Sequence, residues 1–140
     1  MLKISVKDIR NIAKTALIQH GALDWISADV AEAVAASESV GNRICGLYYL
    51  ESYCEQLLSG RVNGQALPDV QLVRPGSVYV DADNGFAQPA FSKGLPEALK
   101  LAENNGIASL SIARSHTCTS LGFFTKKIAE AGFLGLGLTN

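Results

Sequence analysis

The sequence predicts an α/β protein: a helical N-terminal unit over residues 1–60, followed over residues 61–140 by a βαβ-type mixed or parallel sheet. Three observations carry this expectation. Apolar residues recur at helical spacing as far as Ser59. From Arg61 the texture changes, because Asn63, Gly64, Pro68, Pro75 and Gly76 divide the chain into short apolar pieces. Finally, Ile107 to Gly132 reads as an apolar strand, a polar bend and an amphipathic helix in succession.

Each element has its own signal. Ser5 followed by Asp8 resembles a capping box, and Ile9, Ile12, Ala13, Ala16 and Leu17 then mark a first helix from about Val6 to His20, stopped by Gly21. Ser27 is expected to cap a second helix with Val30, Ala33, Val34 and Ala36 on its apolar face, ending near Gly41. A third is expected from about Cys45 to Ser59, carrying Leu47, Leu50, Tyr53, Cys54, Leu57 and Leu58, with Gly60 after its end. Short strands follow at Val70–Val73 and Val78–Val80, and then a turn at Asp83-Asn84-Gly85. A fourth helix should run from Pro89 or Ala90 to Asn104. Strand Ile107–Ala113, helix Thr119–Ala131 and strand Leu134–Leu138 would form a right-handed parallel βαβ unit. The apolar run Phe133–Leu138 stands directly before Thr139-Asn140, and a parallel strand expects neighbours, so the chain reads as the front part of a longer protein.

Composition narrows the function. The 140 residues are 48% hydrophobic and 18% charged, enough for a real core, and the formal net charge of -1 comes without any basic run. Nucleic-acid binding is therefore not expected. No secretory leader pattern and no apolar run of membrane-spanning length are present, so a cytoplasmic protein is expected. Cys45, Cys54 and Cys118 fit neither a disulfide framework nor a zinc spacing, which suits reduced thiols and no metal. Gly132, Gly135 and Gly137 fit no phosphate-binding glycine loop, and Asp81 and Asp83 are better read as turn chemistry than as a calcium loop.

The chemistry-bearing candidates gather in the polar bend Arg114-Ser115-His116-Thr117-Cys118. A carboxyl strand end meeting a helix amino end is where open α/β sheets collect reactive side chains. His116 can give or take a proton near neutral pH, or simply bond backbone as a loop histidine. Arg114 can hold a substrate carboxylate through its fork, or lie on the surface as an ordinary arginine. Ser115, Thr117, Thr119 and Ser120 can donate to a phosphate or carboxylate at the helix start, or serve as caps. Tyr48, Tyr49 and Tyr53 can line a pocket or pack in a core.

The order of these pieces resembles the type-2 malate/L-lactate dehydrogenase family. The matching pieces are the helical pair Ile4 to Val40, the stretch Gly41 to Tyr53, Leu58-Ser59-Gly60-Arg61-Val62-Asn63, and Val80-Asp81-Ala82-Asp83-Asn84-Gly85-Phe86-Ala87-Gln88. Gly106 to Arg114 leading into Ser115-His116, and Ala129-Glu130-Ala131-Gly132, complete the set along the whole chain. The resemblance implies an NAD(P)-dependent oxidoreductase of 2-oxo acids or cyclic imino acids. It also implies NADH or NADPH bound by a family-specific fold in place of a Rossmann loop, and a homodimer of chains more than twice this length.

The resemblance carries roles to particular residues. An Asn-Ser-x-His run of the family, whose histidine protonates substrate, corresponds to Arg114-Ser115-His116-Thr117, with His116 one place early and Thr117 the strict equivalent. Where the family has Asp-Ser-His-Gly-Val-x-Arg, this chain has Arg43-Ile44-Cys45-Gly46-Leu47-Tyr48-Tyr49. Cys45 thus replaces a histidine and Tyr49 an arginine, and Arg43 offers a cation from an adjacent position. The resulting expectation is His116 and Arg43 as catalytic residues, with Arg114, Ser115, Thr117 and Tyr49 at the substrate and Thr119 and Ser120 at the cofactor. The competing reading is a non-catalytic binding or assembly module derived from the same family.

Overall fold

A computed structural model describes residues 3–140. The chain forms two compact units, Met1–Gln65 and Ala66–Asn140. Together the described residues hold five α-helices and one three-stranded sheet. None of the helices is long and apolar enough to cross a membrane.

The first unit contains α1 (Val6–Gln19), α2 (Asp24–Ser39), a 3-10 turn at Arg43–Cys45, and α3 (Leu47–Leu58). The Ser5 cap forms as expected: its hydroxyl accepts from the Asp8 N–H at 3.1 Å and donates to the Asp8 carboxylate at 2.6 Å. Ile9, Ala13 and Leu17 are buried, one helical stripe, and pack along α2, whose buried residues include Ile26, Val30 and Val34. Ile12 faces solvent instead, because the stripe is a narrow row at intervals of four. Arg10–Glu32 and Lys14–Asp24 ion pairs cross between the two helices at 2.6 and 2.8 Å.

Ser27 does not cap α2. The helix begins at Asp24, and the Ser27 N–H already bonds the Leu23 carbonyl at 2.9 Å, so Ser27 lies inside the first turn. An acid at Asp24 suits the positive helix end, and the Leu23 N–H is held by the Gly64 carbonyl at 2.9 Å. Ser27 is fully buried and its hydroxyl has no hydrogen-bond partner among the described residues.

The third helix also starts later than expected, at Leu47, because Gly46 interrupts it with a non-helical backbone. Glu38 at the end of α2 supplies the missing cap, its carboxylate accepting the Leu47 N–H at 2.8 Å. A Cβ at Gly46 would collide with that carboxylate. Leu50, Tyr53, Cys54 and Leu57 are buried, whereas Leu58 points to solvent.

The second unit contains β1 (Asp69–Arg74), β2 (Ser77–Asp81), α4 (Ala87–Asn105), β3 (Ser109–Ala113) and α5 (Leu121–Glu130). β1 and β2 pair antiparallel, and β2 and β3 pair parallel, in the order β1-β2-β3. The βαβ unit is therefore β2-α4-β3. The one expected later, with Leu134–Leu138 as its second strand, does not form: that segment has no ladder partner among the described residues. Its alternation is strand-like all the same. Gly135 and Gly137 turn onto Ile128 and Thr125 of α5, while Leu134, Leu136 and Leu138 are 103%, 84% and 84% exposed.

Alternation in β2 sends Val78 and Val80 under α4, where Ala82, Ala90 and Ala98 complete a buried cluster flanked by Val70, Leu101, Leu110 and Ile112. The approach is close. A Cβ on Gly94 of α4 would stand 2.6 Å from Val80 Cγ2 and 2.7 Å from Leu110 Cδ1. The left-handed Gly106 (φ +79°) ends α4, and Asn105 donates to the Pro75 carbonyl at 2.8 Å, fastening that end to the β1–β2 turn. Phe91 meets Phe124 edge-on at 4.9 Å, joining α4 to α5.

Two stability outcomes follow from this packing. Ser27→Ala should raise the unfolding free energy by about 1 kcal/mol, since it deletes a buried hydroxyl that no acceptor repays and improves helix propensity; a lower melting temperature in calorimetry would contradict this. Gly94→Ala should destabilise by about 1–3 kcal/mol through overpacking against the fully buried Val80, outweighing the gain of about 1 kcal/mol in helix propensity. Denaturant unfolding checks the sign.

Candidate active site

The parallel register pairs Asp81 with Ala113, so β2 and β3 end side by side and their continuations leave the sheet at one place. From β2 comes the turn Ala82 to Phe86, with Asp83 and Asn84 both left-handed at φ +53° and +56°. Asn and Asp tolerate that conformation because their short polar side chains bond locally. From β3 comes the bend that starts at Arg114, itself left-handed at φ +50°.

Backbone bonds join the two continuations. The Ala82 N–H donates to the Ala113 carbonyl at 2.9 Å, the Gly85 N–H closes the turn onto Ala82 at 2.8 Å, and the His116 N–H donates to the Gly85 carbonyl at 2.8 Å. Phe86 and His116 form a parallel bridge, and their rings meet edge-on at 5.9 Å and 85°. Phe86 is buried and His116 half-buried. His116 is thus held by its backbone and by one aromatic wall.

Arg114 folds back on Asp81. Its Nε donates to both carboxylate oxygens at 2.9 and 3.1 Å, and Nη2 donates to Oδ2 at 2.8 Å. The same carboxylate accepts the Asp83 N–H at 2.9 Å. The arginine's bonds first, and then the Asp83 N–H, hold the Asp81 carboxyl below the usual carboxylate range, and the bond to Asp81 pushes the Arg114 guanidinium above its own. Asp81 escaped notice in the sequence as anything but turn chemistry. The signal that would have found it is its position as last residue of β2, level with Ala113 and beside Arg114.

The hydroxyls of the bend are arranged for local order. Thr117 Oγ1 accepts the Thr119 N–H at 3.3 Å, and Thr119 Oγ1 donates to the Cys118 carbonyl at 2.7 Å. Thr119 is left-handed at φ +55°, which puts it outside α5, and Ser120 takes the N-cap position without spending its hydroxyl on the helix. Ser115 is exposed. Gln88, fully buried near the start of α4 and not singled out in the sequence, reaches the Cys118 carbonyl at 3.5 Å.

The bend therefore brings together Arg114, Ser115, His116, Thr117, Thr119 and Ser120. Arg43 and Tyr49 belong to the first unit. Arg43 is exposed in the 3-10 turn beside the half-buried Cys45, and no acidic group pairs with it among the described residues. Tyr49, in the first turn of α3, is half-buried and meets Tyr53 edge-on at 5.1 Å. All three cysteines are free thiols.

Residues 4–140 match the family model of malate/L-lactate dehydrogenase. The chain is 30% identical over 140 residues to the Delta(1)-pyrroline-2-carboxylate/Delta(1)-piperideine-2-carboxylate reductase of Pseudomonas putida, covering all of this chain and 41% of that protein. It is 28% identical over 137 residues to the NAD(+) ureidoglycolate dehydrogenase of Escherichia coli K12, covering 98% of this chain and 39% of the relative. The crystal structure of delta1-piperideine-2-carboxylate reductase from Pseudomonas syringae pv. tomato superposes with a TM-score of 0.90 at 30% identity, over 94% of this chain and 40% of that one. Malate dehydrogenase from Pyrococcus horikoshii OT3, at a TM-score of 0.86 and 21% identity, shares the fold. The chain thus spans about two fifths of the length of the relatives it matches. With the match running from residue 4 to residue 140, this chain belongs to the malate/L-lactate dehydrogenase family.

Proposed function

We propose that this chain is part of a cytoplasmic, homodimeric NAD(P)-dependent oxidoreductase acting on a 2-oxo acid or a cyclic imino acid. The observation that carries this reading is the family match over residues 4–140 combined with a histidine fixed at the joined ends of two parallel strands. Relatives named as cyclic imino acid reductases match this chain over its whole length, which favours an imino or oxo carbon as the reacting centre. An odd count of three cysteines, spaced unlike a disulfide framework, suits a reducing compartment. The dimer rests on the family resemblance alone.

His116 exchanges the proton at the substrate's imine nitrogen or carbonyl oxygen, and Phe86 keeps one side of the imidazole dry. Arg43, exposed and without an acidic partner among the described residues, is the cation offered to the substrate carboxylate. Ser115, Thr117 and Tyr49 are the further polar groups proposed for the substrate. The amino end of α5, with its backbone amides and the Ser120 hydroxyl, fits a phosphate-bearing cofactor, and Thr119 shapes the approach. The bound nicotinamide supplies the hydride chemistry. Both NADH and NADPH belong in the test, since relatives are named for NAD(+) and for NADP(+).

A second reading, a non-catalytic module, is favoured by Cys45 and Tyr49, which stand where the resemblance expects a histidine and an arginine. Cofactor titration of the natively expressed, full-length gene product separates the two: saturable NADH or NADPH binding supports the reductase, and no binding supports the module. In the reductase, His116→Ala should lower kcat by roughly two to four decades, the usual share of a positioned acid or base, in steady-state assays over 2-oxo and imino acids; an unchanged kcat would remove His116 from the reaction. Arg43→Ala should leave kcat within a few-fold and raise the substrate KM by about tenfold or more, as loss of a charge-assisted bond does.

A further inference from the structure

We propose that Asp81 and Arg114 form a positioning pair for His116, so that Arg114 serves the imidazole rather than the substrate carboxylate. The inference rests on the reading of His116 as the proton-exchanging residue and deepens it. The turn carrying Gly85 and the bend carrying His116 are both tied to one carboxylate. Asp81 accepts from Asp83 at 2.9 Å, which sets the left-handed turn whose Gly85 carbonyl receives the His116 N–H at 2.8 Å. It also accepts from Arg114 at 2.8, 2.9 and 3.1 Å, two residues before His116.

Geometry favours positioning over substrate capture. Nε and Nη2, the side-on edge of the guanidinium, are already on one carboxylate, and that partner's charge offsets the arginine's attraction for a second anion at the remaining edge. Arg114 is also left-handed, a conformation that a non-glycine residue adopts at a cost and that persists where surrounding bonds enforce it. Releasing the fork frees the backbone at residue 114 to relax toward ordinary extended geometry. The imidazole then leaves its place against Phe86, and displacements of about 1 Å cost on the order of a hundredfold in rate.

The test uses Asp81→Asn, with Arg114→Lys as a second variant that keeps the charge and loses the fork. Amide hydrogen exchange at His116 is read alongside the β3 amides, and kcat and KM are read with a 2-oxo or cyclic imino acid substrate. Positioning predicts that both variants accelerate exchange at His116 by about tenfold or more while β3 stays protected. It also predicts that kcat falls by tenfold to a hundredfold while KM stays within about twofold. Unchanged exchange at His116 in both variants would overturn the proposal, as would a KM rise of tenfold or more with kcat unchanged in Arg114→Lys, which is the signature of a substrate clamp. Faster exchange with unaltered kcat would uphold the positioning of the bend and overturn the role of His116 in the reaction.

Discussion

The carboxylate of Asp81 gathers donors from two stretches of chain that are more than thirty residues apart, the Asp83 amide and the Arg114 guanidinium. Its influence is geometric more than energetic. The Arg114 and Asp81 side chains are 53% and 25% exposed, and ion pairs so open to solvent add little to stability. What the pair does is fix direction. Two strands that end in register would otherwise release two independent loops, and the carboxylate turns those loops toward each other so that Gly85 and His116 can bond. The left-handed backbone at Asp83, Asn84 and Arg114 is the cost of that convergence, kept where bonds over-determine it.

The platform beneath this junction is the contact of α4 with β2 and β3. Gly94 lets the helix approach until Val80 and Leu110 fill the space a Cβ would take, and the buried cluster of Val78, Val80, Ala82, Ala90 and Ala98 packs the end of β2 under α4. A reactive side chain is only as well placed as the elements that carry it. In the first unit the corresponding device is Glu38, whose carboxylate completes the amino end of α3 next to the Arg43–Cys45 turn.

Local signals in the sequence were legible where periodicity or capping decides structure. The Ser5 cap, the stripe Ile9, Ala13 and Leu17, the turn at Asp83-Asn84-Gly85 and the stop at Gly21 all act within a few residues, and the structure has each of them. Tertiary choices were not legible. Ser27 looks like a cap, but a bond from its own N–H to Leu23 places it inside the helix. Leu134–Leu138 has strand alternation, but strand formation also needs a partner edge, and no described residue supplies one. The fold class and the family were readable because they depend on the order of many weak pieces rather than on any one boundary. In the bend, His116 and its neighbours stood out by residue type. Asp81 did not, since a carboxylate next to a turn has an adequate local explanation and its partner lies thirty-three positions away.

That one carboxylate organises the junction at the strand ends can be read from a carbon-13 NMR titration of the Asp81 side-chain carboxyl. A carboxylate that is bonded by Arg114 and by the Asp83 amide releases its proton more readily than an unperturbed aspartate, whose pKa is about 3.9. The expected midpoint therefore lies clearly below that value and moves up toward it in Arg114→Gln. A midpoint at or above the ordinary aspartate value would mean that the carboxylate does not hold these two donors.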